Sequence, residues 1–389
     1  DLWKSGDIQI EGDLDARQRV RFALYNLYSF IRPDSRQSIA PMGLSSQGYN
    51  GHIFWDTELW MFPTLLVLQP EMAKSCLDYR SDRLAKAKQK ASIYGYQGAM
   101  FPWESDDTGE EATPTWALTG IFEQHITADV SIAFWNYFAM TQNQSWLRNE
   151  WEVLKQTANF WVSRAVENAD GSYSIHNVVG ADEYAQHVDD NAFTNASAIE
   201  SLKNTIKAAK ILNEKVNEEW IKVSEKLVIH KENGITQNYK GYKGQMIKQA
   251  DVNLLAYPLH IITDKNQIKK DLEYYADKID KKDGPAMASG VLSVLYARLG
   301  DRDKAYEYFV KSYLPNSRPP FGVFSESANS NNPYFATGAG AMLQAVIYGF
   351  GGVEQTDKGL QFNKGILPKK WNSLKIIGIG TVEQTIIVN

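Results

Sequence analysis

The chain has 389 residues, enough for two or three domains of about 150 residues, or for one large helical domain with a small appendage. Charged residues make up 22% and the formal net charge is −5, which argues against a nucleic-acid partner, and no apolar run approaches the ~20 residues of a membrane span. A hydrophobic fraction of 43% supports a sizeable core, and the single cysteine, Cys76, excludes an intrachain disulfide and a cysteine-built zinc site.

The opening "DLWKSGDIQIEG" carries no signal-peptide pattern. Residues 13–31 then place Val20, Leu24, Leu27 and Ile31 on one helical stripe. Residues 57–68 are apolar nearly all round and read as a buried helix, ended or kinked by Pro63. A helix follows with Pro70 in its first turn and Cys76 as a buried small hydrophobe. Further helical patterns cover 119–140, 145–166, 191–212, 214–229, 248–258, 266–279, 285–299, 301–313 and 336–349. Several are joined as hairpins by short connections such as "LNEK" and "RLGD". "GFGGVE" (349–354) reads as a helix end and turn.

About twelve helices match six hairpins closed into an (α/α)6 barrel. A solenoid of helix pairs would show a repeat, and none recurs here. Four long segments, 41–54, 94–118, 169–190 and 314–335, are rich in Gly, Pro, aromatic and acidic residues. Long loops inside a compact domain are commonly functional, and the Trp and Phe in these segments argue against disorder. They are expected to lie as ordered loops over one end of the barrel. The tail changes to short alternating runs, "SLKIIGI" and "TVEQTIIV". The expected division is an all-α (α/α)6 barrel over 1–353 and a small β appendage over 354–389.

No Gly-rich phosphate loop, HExxH or GxSxG motif is present, and the six His residues do not cluster at metal spacing. Neither a metal nor a cofactor is expected. The stronger signal is carboxylates in aromatic loops. Asp56 follows Trp55, Glu104 follows Trp103, Glu183 lies in "VVGADEYAQHVDDNAFTN", and Glu326 sits between serines in "PPFGVFSESANSNNPYFATGAG". Glycoside hydrolysis needs one carboxyl group protonated and a second ionised, and an aromatic, partly dry surrounding raises the first. An aromatic content of 12%, with 11 Trp and 20 Tyr, is compatible with a sugar-stacking cleft, but composition alone favours a large aromatic core. Ser325 and Ser327 are expected to hydrogen-bond Glu326. Asp189 and Asp190 read as helix caps, the acidic run 106–111 as a solvated face, and Lys248 and Gln249, from the residues alone, as surface groups at a helix start.

Five motifs, in this order, resemble the family-65 glycoside hydrolases and phosphorylases: "GHIFWDTELW", "GAMFPWESDDTGEE", "VVGADEYAQHVDDNAFTN", "IKQADVNLLAYPL" and "GAGAMLQAVIYGFGG". The resemblance covers roughly 20–353. It implies an (α/α)6 barrel, inverting chemistry on small α-glucosides, and Glu183 as general acid. It also implies Trp55, Asp56, Trp103, Glu104, Lys248 and Gln249 as sugar-binding residues. The phosphorolytic members carry a His- and Gly-rich phosphate cradle where this chain reads "NSNNPYFATGAGAMLQ", with no His. Glu326 just upstream resembles the general base of the hydrolytic members. The expectation is therefore hydrolysis of a kojibiose-type, α-1,2-linked glucoside, with a disaccharide phosphorylase or an acid-trehalase-like hydrolase as alternatives. One departure is Ala185–Gln186 where the family often has His–Glu, which bears on the leaving group. Members also carry an N-terminal β-sandwich domain, expected to lie outside this chain.

Overall fold

The computed structural model describes residues 2–381 and 383–389. It is mostly helical. Six segments contact one another in sequence around a closed ring. The first is a wide π-type turn, Asp56–Met61, running into the helix Phe62–Leu68. It packs on Ile126–Thr141, then Ala192–Leu212, Val252–Leu255, Met287–Arg298 and Ala336–Gln344, and the last returns to Asp56–Met61. The ring helices are buried nearly all round, which is why their sequences show little amphipathic contrast.

Six further helices lie outside the ring: Leu14–Phe30, Pro70–Asp82, Trp151–Arg164, Glu218–Lys226, Lys265–Ala276 and Arg302–Lys311. Each bears on its ring neighbours through one stripe, such as Val20, Leu24 and Leu27. Side-chain caps set several helix starts: Asp13 accepts from the amide of Ala16, Asn191 from Thr194 and Asp301 from Lys304. The cap of the Ala192–Leu212 helix is thus Asn191, and neither of the preceding aspartates expected there. Asp190 is instead buried, accepting from the Ile175 amide at 3.1 Å and lying 2.9 Å from His230 Nε2.

The expected helix over 248–258 reduces to one short turn, Val252–Leu255. Polar groups at its start are used by loops, and Pro258 has no amide proton to extend it. Pro63 sits in the first turn of Phe62–Leu68, where a missing donor costs nothing. Cys76 is buried, as expected.

The tail forms strands Val353–Thr356, Gly359–Phe362, Ser373–Ile379 and Gln384–Val388. Val382, inside the run "TVEQTIIV", lies outside the described residues. Ser373–Ile379 is the central strand of an antiparallel sheet, and its other neighbour is Asp7–Glu11 from the start of the chain. Ile8 faces Ile376 and Ile10 faces Leu374, and all four side chains are buried in the same core as the helices. The alternation in "DIQI" is the only local signal for this strand. The 353/354 boundary falls inside the strand Val353–Thr356. No helix among the described residues is long and apolar enough to cross a membrane.

Candidate active site

Loops 41–54, 94–118, 169–190 and 314–335 all contribute to one cavity of about 480 Å3. Its lining includes all eight residues singled out from the sequence: Trp55, Asp56, Trp103, Glu104, Glu183, Lys248, Gln249 and Glu326.

The floor is aromatic and dry. Trp55 is 2% exposed and its ring centroid lies 6.1 Å from that of Trp103. Behind both sits His125, with centroids 4.8 Å from Trp55 and 5.5 Å from Trp103. His125 is wholly buried between Asp129, at 2.8 Å from Nδ1, and Glu123, at 3.0 Å from Nε2. Burial opposes its charge, but the Asp129 carboxylate outweighs that and lifts the imidazole to about 10. The ring, held at both nitrogens, braces the two indoles. Asp56, 5% exposed, is pushed up to about 7 by burial, which the Thr337 hydroxyl, donating at 2.5 Å, only partly offsets. Beneath it, Glu58 and Arg80 form a buried ion pair at 2.7 Å that ties the π-type turn to the Pro70–Asp82 helix.

Glu183 stands on a loop anchored by its neighbour. Asp182 accepts from the Lys248 amide at 2.7 Å and from Asn238 at 2.8 Å. The Asp182 amide in turn donates to Asp251 at 3.2 Å. Burial pushes Asp182 up to about 7 and Asp251 to about 6. These bonds bring the 247–251 loop against the Glu183 loop. Lys248 and Gln249 are therefore not surface groups. Lys248 Nζ lies 2.9 Å from the Glu183 carboxylate. Gln249, 1% exposed, donates to the Ala181 carbonyl at 2.7 Å and leaves its side-chain oxygen without a protein partner.

Glu326 is held from two sides. The Asn316 amide group and the Ala286 backbone N–H both donate to its carbonyl, each at 3.0 Å. The Tyr49 hydroxyl donates to its carboxylate at 2.6 Å. Burial and the Glu326 charge both raise Tyr49, so the phenol stays a donor. The expected serine contacts are absent: Ser325 Oγ donates to the Ser327 carbonyl at 2.7 Å instead, tightening the turn. Tyr49 was missed from the sequence. The available signal was an aromatic residue before Asn50–Gly51, a left-handed turn in which Tyr49 has φ 57°.

Glu104 is raised by burial, opposed by His52 at 3.0 Å. Its loop is ordered by Glu111, whose carboxylate accepts from the Trp103 and Glu104 amides at 2.9 and 3.1 Å and pairs with buried Lys90. The acidic run is thus partly a loop anchor rather than a solvated face.

The arrangement offers two carboxyl groups from different loops at one cavity, one beside an ammonium and one beside a phenol. The same cavity is lined by indoles with flat faces and by the polar groups of Asp56 and Gln249. Such a set suits proton donation and water activation at an acetal carbon.

Comparison with known proteins agrees. The chain is 52% identical over 390 residues to kojibiose hydrolase of Flavobacterium johnsoniae, covering 100% of this chain and 57% of that one. It is 39% identical over 395 residues to the protein-glucosylgalactosylhydroxylysine glucosidase of Dictyostelium discoideum, covering 99% and 55%. The chain thus spans little more than half the length of these relatives. A solved structure assigned as a kojibiose phosphorylase from the human microbiome superposes with TM-score 0.85 at 21% identity, over 100% of this chain and 63% of that one. The profile of the glycosyl hydrolase family 65 central catalytic domain matches residues 21–245 and 236–316, and the chain belongs to that family.

Proposed function

We propose that this chain is the catalytic part of an inverting α-glucosidase that cleaves a small α-1,2-linked glucoside and releases β-glucose. One observation carries the reading: Glu183 and Glu326, from separate loops, line the same cavity as Trp55, Asp56 and Gln249. The closed ring of six segments with an outer layer of helices supports an (α/α)6 barrel as the scaffold.

In this reading Glu183 gives its proton to the glycosidic oxygen as the bond to the anomeric carbon breaks. Glu326 takes a proton from water while that water's oxygen attacks the carbon from the opposite face. The leaving group departs as an alcohol, and configuration inverts. A separation of roughly 6.5–9.5 Å between the carboxyl groups leaves room for the water. Lys248, already 2.9 Å from Glu183, stabilises the carboxylate that Glu183 becomes. Tyr49 orients Glu326. Trp55 and Trp103 stack on glucose, and Asp56, Glu104 and Gln249 take its hydroxyls.

Hydrolysis is favoured over phosphorolysis because the stretch 329–344 contributes only Phe335 to the cavity lining, and no cation. The α-1,2 linkage is favoured because the named relatives act on kojibiose and on a glucosylgalactose unit. The test is cleavage of kojibiose, nigerose, maltose and trehalose with and without inorganic phosphate. Phosphate-independent glucose release, strongest on kojibiose and reduced ~10²–10⁴-fold in both Glu183→Gln and Glu326→Gln, is the expected result. Phosphate-dependent glucose-1-phosphate would remove Glu326 from the mechanism.

A further inference from the structure

The chain has 11 tryptophans, and each of the others makes a ring pair within the described residues, whereas Trp116 makes none. Trp116 also donates no hydrogen bond among the described residues and is 83% exposed, yet it lines the same cavity as Glu183 and Glu326. An unpaired indole at a cavity mouth is costly to expose, and its flat apolar face suits a sugar ring.

Burial along the cavity says which sugar. Trp55, Asp56 and Gln249 lie at the closed end and are buried. Glu183 and Glu326 are half-buried. Trp116, 83% exposed, marks the open end, and the same cavity is lined by Thr119 and Gln186, whose side chains make no hydrogen bond among the described residues. A glucose unit removed from a chain end fits the closed end, with its anomeric carbon at the carboxylates. What leaves must then point outward, past Trp116.

We propose that Trp116 is the stacking platform for the leaving-group sugar, and so a specificity residue for α-glucosides whose other half is itself a carbohydrate. The inference rests on the hydrolase reading above. Thr119 and Gln186, lining the same cavity, offer hydroxyl and amide groups for that sugar's polar edge. The loop that carries Trp103 and Glu104 to the glucose end thus carries Trp116 to the leaving-group end, so one loop touches both halves of the substrate.

The test compares the full chain with its Trp116→Ala and Trp116→Phe variants on kojibiose and on α-glucosyl fluoride, which has no leaving-group sugar. Trp116→Ala is expected to raise KM for kojibiose about tenfold with little change in kcat, and to leave α-glucosyl fluoride hydrolysis unaltered. Trp116→Phe should restore part of the loss, since a ring face remains. Equal losses on both substrates, or no loss on either, would overturn the proposal. Calorimetric titration of the Glu183→Gln protein with kojibiose and with glucose separates the two readings. If kojibiose is bound but not hydrolysed by the parent chain, the hydrolase reading fails. If Trp116→Ala in that background binds kojibiose as tightly as before, the platform fails.

Discussion

Tyr49 is the residue whose contribution is simplest to isolate. Its hydroxyl makes the one side-chain hydrogen bond given to the Glu326 carboxylate among the described residues, at 2.6 Å. A hydrogen bond to a charged group contributes about 1.5–3 kcal/mol, and in the proposed mechanism this one orients the base. Tyr49→Phe is therefore expected to lower kcat by roughly 10- to 100-fold with KM nearly unchanged. Steady-state kinetics on kojibiose decides it. A rise in KM alone would place Tyr49 in sugar binding rather than in alignment of the base.

Most of the residues legible in the sequence share a feature: each is a polar group beside an aromatic in a loop too long to be a simple connection. Trp55–Asp56, Trp103–Glu104 and Glu183–Tyr184 stand out that way, and Glu326, between two serines, stands out by its Phe-, Pro- and Gly-rich loop. Lys248 and Gln249 do not, because their burial comes from Asp182 and Ala181, some 66–68 residues distant, through bonds that no local pattern encodes. The linkage expectation drew instead on family resemblance.

The element on which the site most depends is the π-type turn Asp56–Met61, packed against Ala336–Gln344. Wide turns of this kind cluster at functional sites because the extra residue re-aims a side chain. Close approach is possible because Gly340 lacks a side chain: a Cβ there would meet the Trp60 carbonyl oxygen at 2.5 Å. The same helix supplies Thr337 to Asp56 and Gln344 to the Leu59 and Trp60 carbonyls, at 2.8 and 2.7 Å. Gly340→Ala should force the two elements apart, lowering stability by about 1–3 kcal/mol and weakening glucose binding. Urea unfolding and glucose titration measure both. Unchanged values would show that the contact is slack.

The order of the main helices is legible because their apolar stripes are local, whereas the breaks that divide 70–93, 119–140 and 145–166 into two helices each are not. The turn at 56–61 and the short Val252–Leu255 turn were read as ordinary helix, since an apolar run is equally consistent with either. The strand Asp7–Glu11 was missed because its partner lies at the far end of the chain.

For the whole molecule, buried carboxylates couple the active-site end to pH. Asp182 and Asp251 join the loop of Glu183 to the start of the Ala192–Leu212 helix, through Asn191 and the Phe193 amide. Burial raises them to about 7 and about 6. Between the unfolded value of ~3.9 and these values the folded chain holds protons that the unfolded chain has released. Their contribution is therefore fully present below ~3.9 and declines as pH rises through 6 to 7. Asp182→Asn removes one of the two groups, so the fall in stability between pH 5 and pH 8 should shrink by ~1–3 kcal/mol. Denaturant midpoints at the two pH values test this. An unaltered slope would mean that Asp182 is ionised across the range.

The central claim is that two carboxyl groups act on opposite faces of one anomeric carbon. Its most direct test is the configuration of the first product. α-Glucosyl fluoride, which yields one glucose and no leaving-group sugar, is supplied to the full chain in phosphate-free buffer, and the anomeric proton signals are followed before mutarotation equilibrates them. The account predicts that β-glucose appears first and the α anomer grows in only later. Initial α-glucose would contradict it, because retention requires a nucleophilic carboxylate at about 5–5.5 Å from the acid and a covalent intermediate.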